Sequence, residues 1–166
     1  KDCFMLSFCL MGINSADLYN ATEYDGEYIT YYRTKTKDRR NDKAKMIIKV
    51  HPLIKPIVEK YRGKDRVFNF CERFSSMSDL NRSINIGLKE IGKELKIDNL
   101  QYYAARHSMA TIAINKAGIN KYIVNDMLCH TDRSMRITDL YIKKDFTPIN
   151  EANFKLLDFM FDCKAL

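Results

Sequence analysis

The spacing of apolar residues predicts a mostly helical chain. Residues 3–10 are nearly all apolar, which indicates a buried helix that ends at Gly12. The clearest helix is predicted after Ser78, which acts as its cap, and it carries one apolar stripe formed by Leu80, Ile84, Leu88, Ile91 and Leu95. Further helices are expected over residues 15–19, from Pro52 to Gly63, from Asp98 or Asn99 to Gly118, and over residues 120–128 and 150–161.

Alternating residues after the Asp25-Gly26 turn signal predict the only region of strand. Residues 27–35 are rich in Tyr, Ile and Thr, and residues 46–50 alternate in the same way, so the two segments are expected to pair as antiparallel strands. This alternation places on one face the side chains of Ile29, Tyr31, Arg33 and Lys35. The predicted fold class is therefore α+β: a mostly α-helical domain with a small antiparallel sheet of two or three strands near the N-terminal third.

The last predicted helix, over residues 150–161, is apolar on nearly every side. A terminal helix of this kind is not expected to remain exposed to water. We expect it to pack on its own domain or on a neighbouring protomer.

Length and cysteine content restrict the class of protein. With 166 residues, 46% of them hydrophobic, the chain is expected to form one domain over residues 1–166. No apolar run approaches the length of a membrane span, and the first residues lack the pattern of a signal peptide. The five cysteines form no C-x-x-C pair, which favours free thiols in a reducing cytoplasm and makes a zinc site improbable. Because the sequence opens inside a predicted helix, we expect it to be part of a longer protein.

The charge balance indicates a polyanionic partner. Lys and Arg number 28 against 21 Asp and Glu, which gives a net charge of +7. The predicted loop between the two strands carries Lys37, Arg39 and Arg40. This loop is either a solvated turn or a surface that contacts DNA, and the sequence favours neither interpretation.

A short helical run contains the strongest candidates for chemistry. Within residues 101–111, the i, i+3, i+4, i+7 spacing places on one helix face Tyr103, Arg106, His107 and Ala110. Such a face suits an anionic ligand. The alternative is a basic residue at a helix surface beside a half-buried histidine.

The order of short motifs along the chain is more specific than any one of them. In sequence they are Gly12-x-x-x-x-Asp17, Arg33-x-Lys35-Thr, Arg106-His-Ser-x-Ala-Thr, Leu128-Cys-His-Thr-Asp and Ile-Thr-Asp-Leu-Tyr141-Ile. This series resembles the catalytic domain of the tyrosine recombinases, and in particular the integrases of bacterial conjugative elements and phages. The resemblance extends from Gly12 to the terminal helix.

The resemblance implies a reaction and a role for each matching residue. Tyr141 matches the nucleophile that attacks a DNA phosphodiester and leaves a 3′-phosphotyrosyl enzyme, although a core tyrosine remains the alternative. Arg106 matches an arginine that clamps the phosphate, and Lys35 matches the general acid that protonates the leaving 5′-oxygen. His130 matches a hydrogen-bond donor to the phosphate, and His107 matches a residue that supports the site. The family requires no metal ion, ATP or other cofactor.

Two positions depart from the family pattern. Asn14 stands where the family usually has its first catalytic arginine, and Tyr103 stands where a His or Lys is usual, three residues before Arg106. The loss of one cation opposite a phosphate should slow the reaction by several powers of ten unless another replaces it. Arg33 is the candidate substitute, and Asn14 would then only cap a helix.

The family also implies partners. They are double-stranded DNA and three further copies of the chain, in a homotetramer on DNA that exchanges its C-terminal helix, in the cytoplasm and associated with the nucleoid. The family's N-terminal core-binding domain is not expected within these residues. Two alternatives remain: a catalytically impaired DNA-binding module of the same fold, which Asn14 and Tyr103 favour, and an unrelated helical regulator that binds nucleic acid.

Overall fold

The structure, a computed structural model, describes residues 1–130 and 144–162, which form helices and one small sheet. The helices are α1 (Asp2–Cys9), α2 (Ser15–Asn20), α3 (Lys55–Lys60), α4 (Phe70–Arg73), α5 (Met77–Leu95), α6 (Tyr103–Asn115), α7 (Lys121–Met127) and α8 (Thr147–Asp162). The strands are β1 (Glu23–Tyr24), β2 (Tyr28–Tyr32) and β3 (Lys45–Lys49). This arrangement confirms the predicted α+β class.

The sheet is antiparallel in the order β1-β2-β3, and the alternation along its strands determines which side faces the core. Ile29 pairs with Ile48, and Tyr31 pairs with Met46. All four side chains are buried, as the period of two predicts. The prediction that the same face continues to Lys35 is wrong, because β2 ends at Tyr32.

The chain turns directly after Arg33. The backbone N–H groups of Thr36 and Lys37 both donate to the Arg33 carbonyl, which closes a tight turn. The N–H of Thr34 donates to the Asp17 carboxylate at 2.7 Å instead of to a neighbouring strand. Competition from this buried carboxylate ends the strand earlier than the sequence pattern indicates.

Several helix boundaries differ from the predicted ones by a few residues. Helix α5 begins after Ser76, whose Oγ accepts from the Asp79 N–H, and not after Ser78. Helix α3 has Pro56 rather than Pro52 in its first turn. Helix α6 begins at Tyr103, so neither Asp98 nor Asn99 caps it. Helix α7 begins after Asn120, whose side chain accepts from the Tyr122 N–H and caps the helix.

Helix α6 divides its predicted polar residues between the core and the solvent. Arg106 is 5% exposed and lies on the buried side with Met109, where α6 packs against α1. Tyr103 is 50% exposed, and His107 is also exposed. The three residues keep the predicted helical spacing, but Arg106 lies at the buried edge of their face because the neighbouring apolar positions of α6 turn that edge towards the core.

Helix α8 packs on its own chain. Leu156 and Leu157 are fully buried in the core, and the buried Asn153 donates from Nδ2 to the Cys9 carbonyl at 2.9 Å. The Asn150 amide accepts from the Lys49 N–H at 2.7 Å and donates to the Ile47 carbonyl at 3.1 Å. This side chain therefore satisfies the outer edge of β3 as a further strand would.

Three general features concern the described residues only. The four described cysteines, Cys3, Cys9, Cys71 and Cys129, are free thiols. No helix in this part of the chain combines the length and apolar character that crossing a membrane requires. No group of three or more His, Cys, Asp or Glu side chains within it is arranged to hold a metal ion.

Candidate functional site

Arg106 lies at the centre of the candidate site. From α6 it reaches across to two other parts of the chain: Nη1 donates to the Gly12 carbonyl at 2.7 Å, and Nη2 donates to the Leu128 carbonyl. Burial and the neighbouring Arg33 guanidinium lower the pKa of Arg106. Arg106 nevertheless remains charged at neutral pH, because an arginine is not deprotonated there.

His130 follows α7 and approaches the same guanidinium. Its Nε2 lies 3.3 Å from Arg106 Nη2. A guanidinium only donates hydrogen bonds, so His130 Nε2 is the acceptor and the proton of the neutral ring is on Nδ1. Partial desolvation of the ring, together with the Arg106 and Arg33 charges, lowers the pKa of His130. The ring is therefore neutral at pH 7 in the ligand-free protein.

Arg33 enters the site from the end of β2. Its Nη1 donates to the Cys129 carbonyl at 3.0 Å, one residue before His130. Its Nε is buried and has no hydrogen-bond partner among the described residues. Two arginines and a histidine, separated by 73 and 24 positions in sequence, thus gather around residues 128–130. We call Arg33, Arg106 and His130 the cation cluster, after its two guanidinium groups.

The backbone beneath the cation cluster has unusual conformations. Cys129 has a φ of 51°, and Gly12 has a φ of 70°. At Cys129 the left-handed conformation occurs in a residue other than glycine, which is uncommon and marks a chain held by its surroundings. Both residues present their carbonyl oxygens to the arginines of the cluster. The backbone therefore fixes the positions of the two guanidinium groups.

The electrostatic balance of the cluster favours an anion. Among the described residues, neither Arg33 nor Arg106 forms an ion pair. Asp17 acts electrostatically on Arg106, but it is 2% exposed and already accepts from the Thr34 N–H. Within the described part of the chain the two guanidinium groups have no paired carboxylate, and such an arrangement suits an oxyanion such as a phosphate.

The structure brings only some of the predicted site residues together. Tyr103 and His107 are exposed on α6 and pack against each other edge to face, with ring centroids 4.7 Å apart. Tyr103 also contributes to the electrostatic environment of Arg106, so it lies near the cluster. Lys35 is exposed, and within the described part of the chain it makes no hydrogen bond to the cluster. The prediction that Lys35 shares a strand face with Arg33 is wrong.

The remaining predicted residues lie around this site or outside the described residues. Lys37 and Arg39 are exposed in a single turn of 3-10 helix, and Arg40 is ion-paired with Asp42. Asn14 lies at the N-cap position of α2, half-buried, but its side chain makes no capping hydrogen bond. Tyr141 lies outside the described residues.

Sequence reasoning missed two contributors to the site. One is Asp17, which fixes the backbone after Arg33; it appeared in the sequence only as the last residue of a Gly-x-x-x-x-Asp motif. The other is Cys129, whose carbonyl holds Arg33, and a backbone contact of this kind leaves no signal in the residue types.

Searches against known proteins add no identity to this geometry. No protein-family model matches the chain, and neither the curated proteins nor the solved structures gave a significant match.

Proposed function

We propose that this chain is the catalytic domain of a DNA strand-transfer enzyme of the tyrosine recombinase type. The observation that carries the proposal is the cation cluster: Arg33, Arg106 and His130 converge although they are far apart in sequence. The same residues belong to the ordered series of motifs that resembles this family. A site for a phosphate at these positions is what the family's chemistry requires.

In the proposed reaction, the Tyr141 hydroxyl releases its proton to solvent as its oxygen attacks the phosphorus of a DNA phosphodiester. The bond from phosphorus to the 5′-oxygen breaks, a 3′-phosphotyrosyl bond forms, and Lys35 gives a proton to the leaving 5′-oxygen. Because the new bond conserves the phosphoester, a 5′-hydroxyl of another strand can reverse the step without ATP. Lys35 is exposed at the turn after β2 and has to approach the bound DNA.

Arg33 takes the part of the missing first arginine in this proposal. Its support is the contact with Cys129 and the electrostatic effect of Arg33 on both Arg106 and His130. Asn14 carries no charge, so the second guanidinium of the site has to come from Arg33.

His130 changes its hydrogen-bonding role on the proposed pathway. In the free protein Nε2 accepts from Arg106, but a phosphate oxygen offers no proton. To donate to a phosphate, His130 must move its proton to Nε2 or gain a second one. The negative charge of the DNA favours the charged ring, since an opposite charge raises the pKa of a histidine.

The proposal includes assembly as a homotetramer on double-stranded DNA in the cytoplasm, associated with the nucleoid. Exchange of α8 between neighbouring copies would transfer to a partner the contacts that α8 now makes with its own chain, including the one from Asn153 to Cys9. Sedimentation with and without duplex DNA tests this part separately.

The decisive experiment uses a nicked suicide duplex that traps the covalent intermediate. The protein is expected to form a DNA adduct that survives denaturation, and Tyr141→Phe should abolish it. Tyr122→Phe is the matched control, because Tyr122 is an exposed tyrosine of α7 outside the cluster. An adduct that persists in Tyr141→Phe contradicts the proposal.

The second candidate is a DNA-binding module of the same fold without cleavage activity. Asn14 and the uncharged Tyr103 favour it, as does the commitment of both arginines to backbone carbonyls in the free protein. Duplex binding without any adduct, at protein concentrations that saturate the suicide substrate, supports this candidate over the first.

A further inference from the structure

The connection between β2 and β3 contains two carboxylates in an otherwise basic segment. Residues 33–44 include six Lys and Arg side chains, with Asp38 and Asp42 as the only acids. Asp38 is exposed and forms no ion pair with any described residue, whereas Asp42 is paired with Arg40 and lies near Lys144. The two acids of one loop therefore have different surroundings.

The Asp42 carboxylate is bound in the way that proteins bind a phosphate. Arg40 approaches it as a fork, with Nε 2.8 Å from Oδ1 and Nη2 2.5 Å from Oδ2. The backbone N–H of Ala44 donates to Oδ1 at 2.9 Å, and Lys144 Nζ lies 3.9 Å from Oδ2. A bidentate guanidinium, a backbone N–H and an ammonium group form a typical donor set for a phosphate oxyanion.

This arrangement adjoins the cation cluster. Arg40 Nη1 lies 3.8 Å from the Cys129 sulfur, and the Cys129 carbonyl accepts from Arg33. Arg33 and Arg40 thus contact the same residue, directly before His130. An extended polyanion bound at the cluster would pass close to Arg40.

We propose that Arg40, Lys144 and the Ala44 N–H form a second phosphate subsite, which the Asp42 carboxylate occupies until a DNA phosphate displaces it. This inference rests on the proposed function for the identity of the polyanion. The Asp42 side chain is 37% exposed, so an incoming phosphate can reach the position. In the free protein Asp42 then weakens DNA binding by competition.

The titration of Asp42 is consistent with this competition. Burial raises the pKa of the Asp42 carboxyl, but the hydrogen bonds from Arg40 and the Ala44 N–H, together with the Arg40 and Lys144 charges, outweigh it, so the pKa is lowered overall. Asp42 therefore remains negatively charged at neutral pH.

A purely structural role for Asp42 is the alternative. Lys43 and Ala44 both have a φ of 50°, and the hydrogen bond from the Ala44 N–H stabilises this left-handed turn. Asp42→Asn separates the two roles, because an amide oxygen still accepts from Ala44 while the negative charge is lost. Asp38→Asn is the matched control, since it removes the same charge from the same loop.

The test measures duplex binding and retention on heparin over a range of salt concentrations. Asp42→Asn should bind duplex about fivefold more tightly than Asp38→Asn, and its plot of log affinity against log salt should steepen by about 0.9, one further phosphate contact. In an Arg40→Gln background, Asp42→Asn and Asp38→Asn should change the duplex affinity by equal amounts. The inference is overturned if Asp42→Asn and Asp38→Asn change the duplex affinity equally in the otherwise wild-type protein. It is also overturned if the extra affinity of Asp42→Asn remains when Arg40 is replaced by Gln.

Heparin separates this inference from the proposed function, because retention requires an anion subsite but no recombination. If Asp42→Asn is retained no more strongly than Asp38→Asn, the subsite does not exist, whatever the DNA assays give. If the difference in retention is found but no Tyr141-dependent adduct forms, the subsite stands and the recombinase proposal fails.

Discussion

Gly12 and Arg106 share a space that has no room for one more carbon atom. The Gly12 carbonyl accepts from Arg106 Nη1 at 2.7 Å, and a Cβ on Gly12 would lie 2.7 Å from Arg106 Cγ. The φ of 70° at Gly12 also disfavours any other residue. The position of the central arginine of the cluster therefore depends on a glycine 94 residues earlier in the chain.

Gly12→Ala is expected to destabilise the protein by about 2–4 kcal/mol, through backbone strain and overlap with Arg106. The measurement is the free energy of unfolding in urea. Gly118→Ala is the matched control, because Gly118 has a similar φ of 63° but open space around its Cα. The difference between the two variants isolates the contact with Arg106. Equal losses of stability would show that this contact is not restrictive.

Arg33→Ala should reduce the rate of adduct formation on the suicide substrate at least about 100-fold, the usual effect of losing one preorganised donor to an oxyanion. Duplex affinity should change far less. Arg82→Ala removes an equal charge from an exposed position of α5, outside the site, and should leave the cleavage rate unchanged. A wild-type rate in Arg33→Ala would exclude Arg33 as the substitute for the missing arginine.

His130 should make the stability of the protein depend on pH. Its pKa is lower in the folded protein than the ordinary value of about 6.5, so the unfolded chain binds a proton first as the pH falls. The stabilisation of the folded protein that depends on the neutral ring is complete above the unfolded pKa. It is lost as the pH falls from the unfolded pKa towards the lower pKa of the folded protein. His130→Gln should therefore flatten the fall in unfolding free energy below about pH 6.5.

The lowered pKa of His130 can also be measured directly by NMR titration of its ring. Partial desolvation of the ring remains in Arg33→Gln, but one of the two nearby positive charges is gone, so the NMR titration midpoint of His130 should rise. An unchanged midpoint would mean that Arg33 is too distant to act on the phosphate that His130 is proposed to contact.

The regular elements could be predicted because their residues repeat with the period of the structure. The stripe on α5 buries Leu80 and Leu88, and the alternation on β2 buries Ile29 and Tyr31. The stripe fails only at its end, where Leu95 is 62% exposed at the C-terminus of α5. Periodicity predicts which face of a helix a side chain lies on. It does not predict where along the helix the neighbouring elements end and leave that face exposed.

The site was predicted only in part, for a physical reason. The motifs identified Arg106, His130 and Arg33, but the predicted route to Arg33, through an extended strand shared with Lys35, was wrong. Asp17 draws the backbone of Thr34 away from the strand, and this contact spans 17 residues. Strand pairing and the distant Asp17 carboxylate compete for the Thr34 N–H, and the outcome depends on tertiary structure. No periodic pattern in the sequence indicates it.

Asn150→Ala should destabilise the protein by about 2–4 kcal/mol, because the backbone groups of Lys49 and Ile47 lose their side-chain partner. Urea denaturation measures the loss, and amide hydrogen exchange at Lys49 should become faster than in the wild type. Glu151→Ala, at an exposed neighbouring position of α8, is the control and should have little effect. Unchanged exchange at Lys49 would show that Asn150 does not protect the strand.

The contact between Asn150 and β3 has a consequence for self-association. An unpaired strand edge is a template on which another chain can add a strand. Here a side chain of α8 closes that edge, so departure of α8 for any reason opens it at the same time. Any exchange of α8 between copies therefore has to be concerted, because an intermediate without the helix would be prone to aggregate through the sheet.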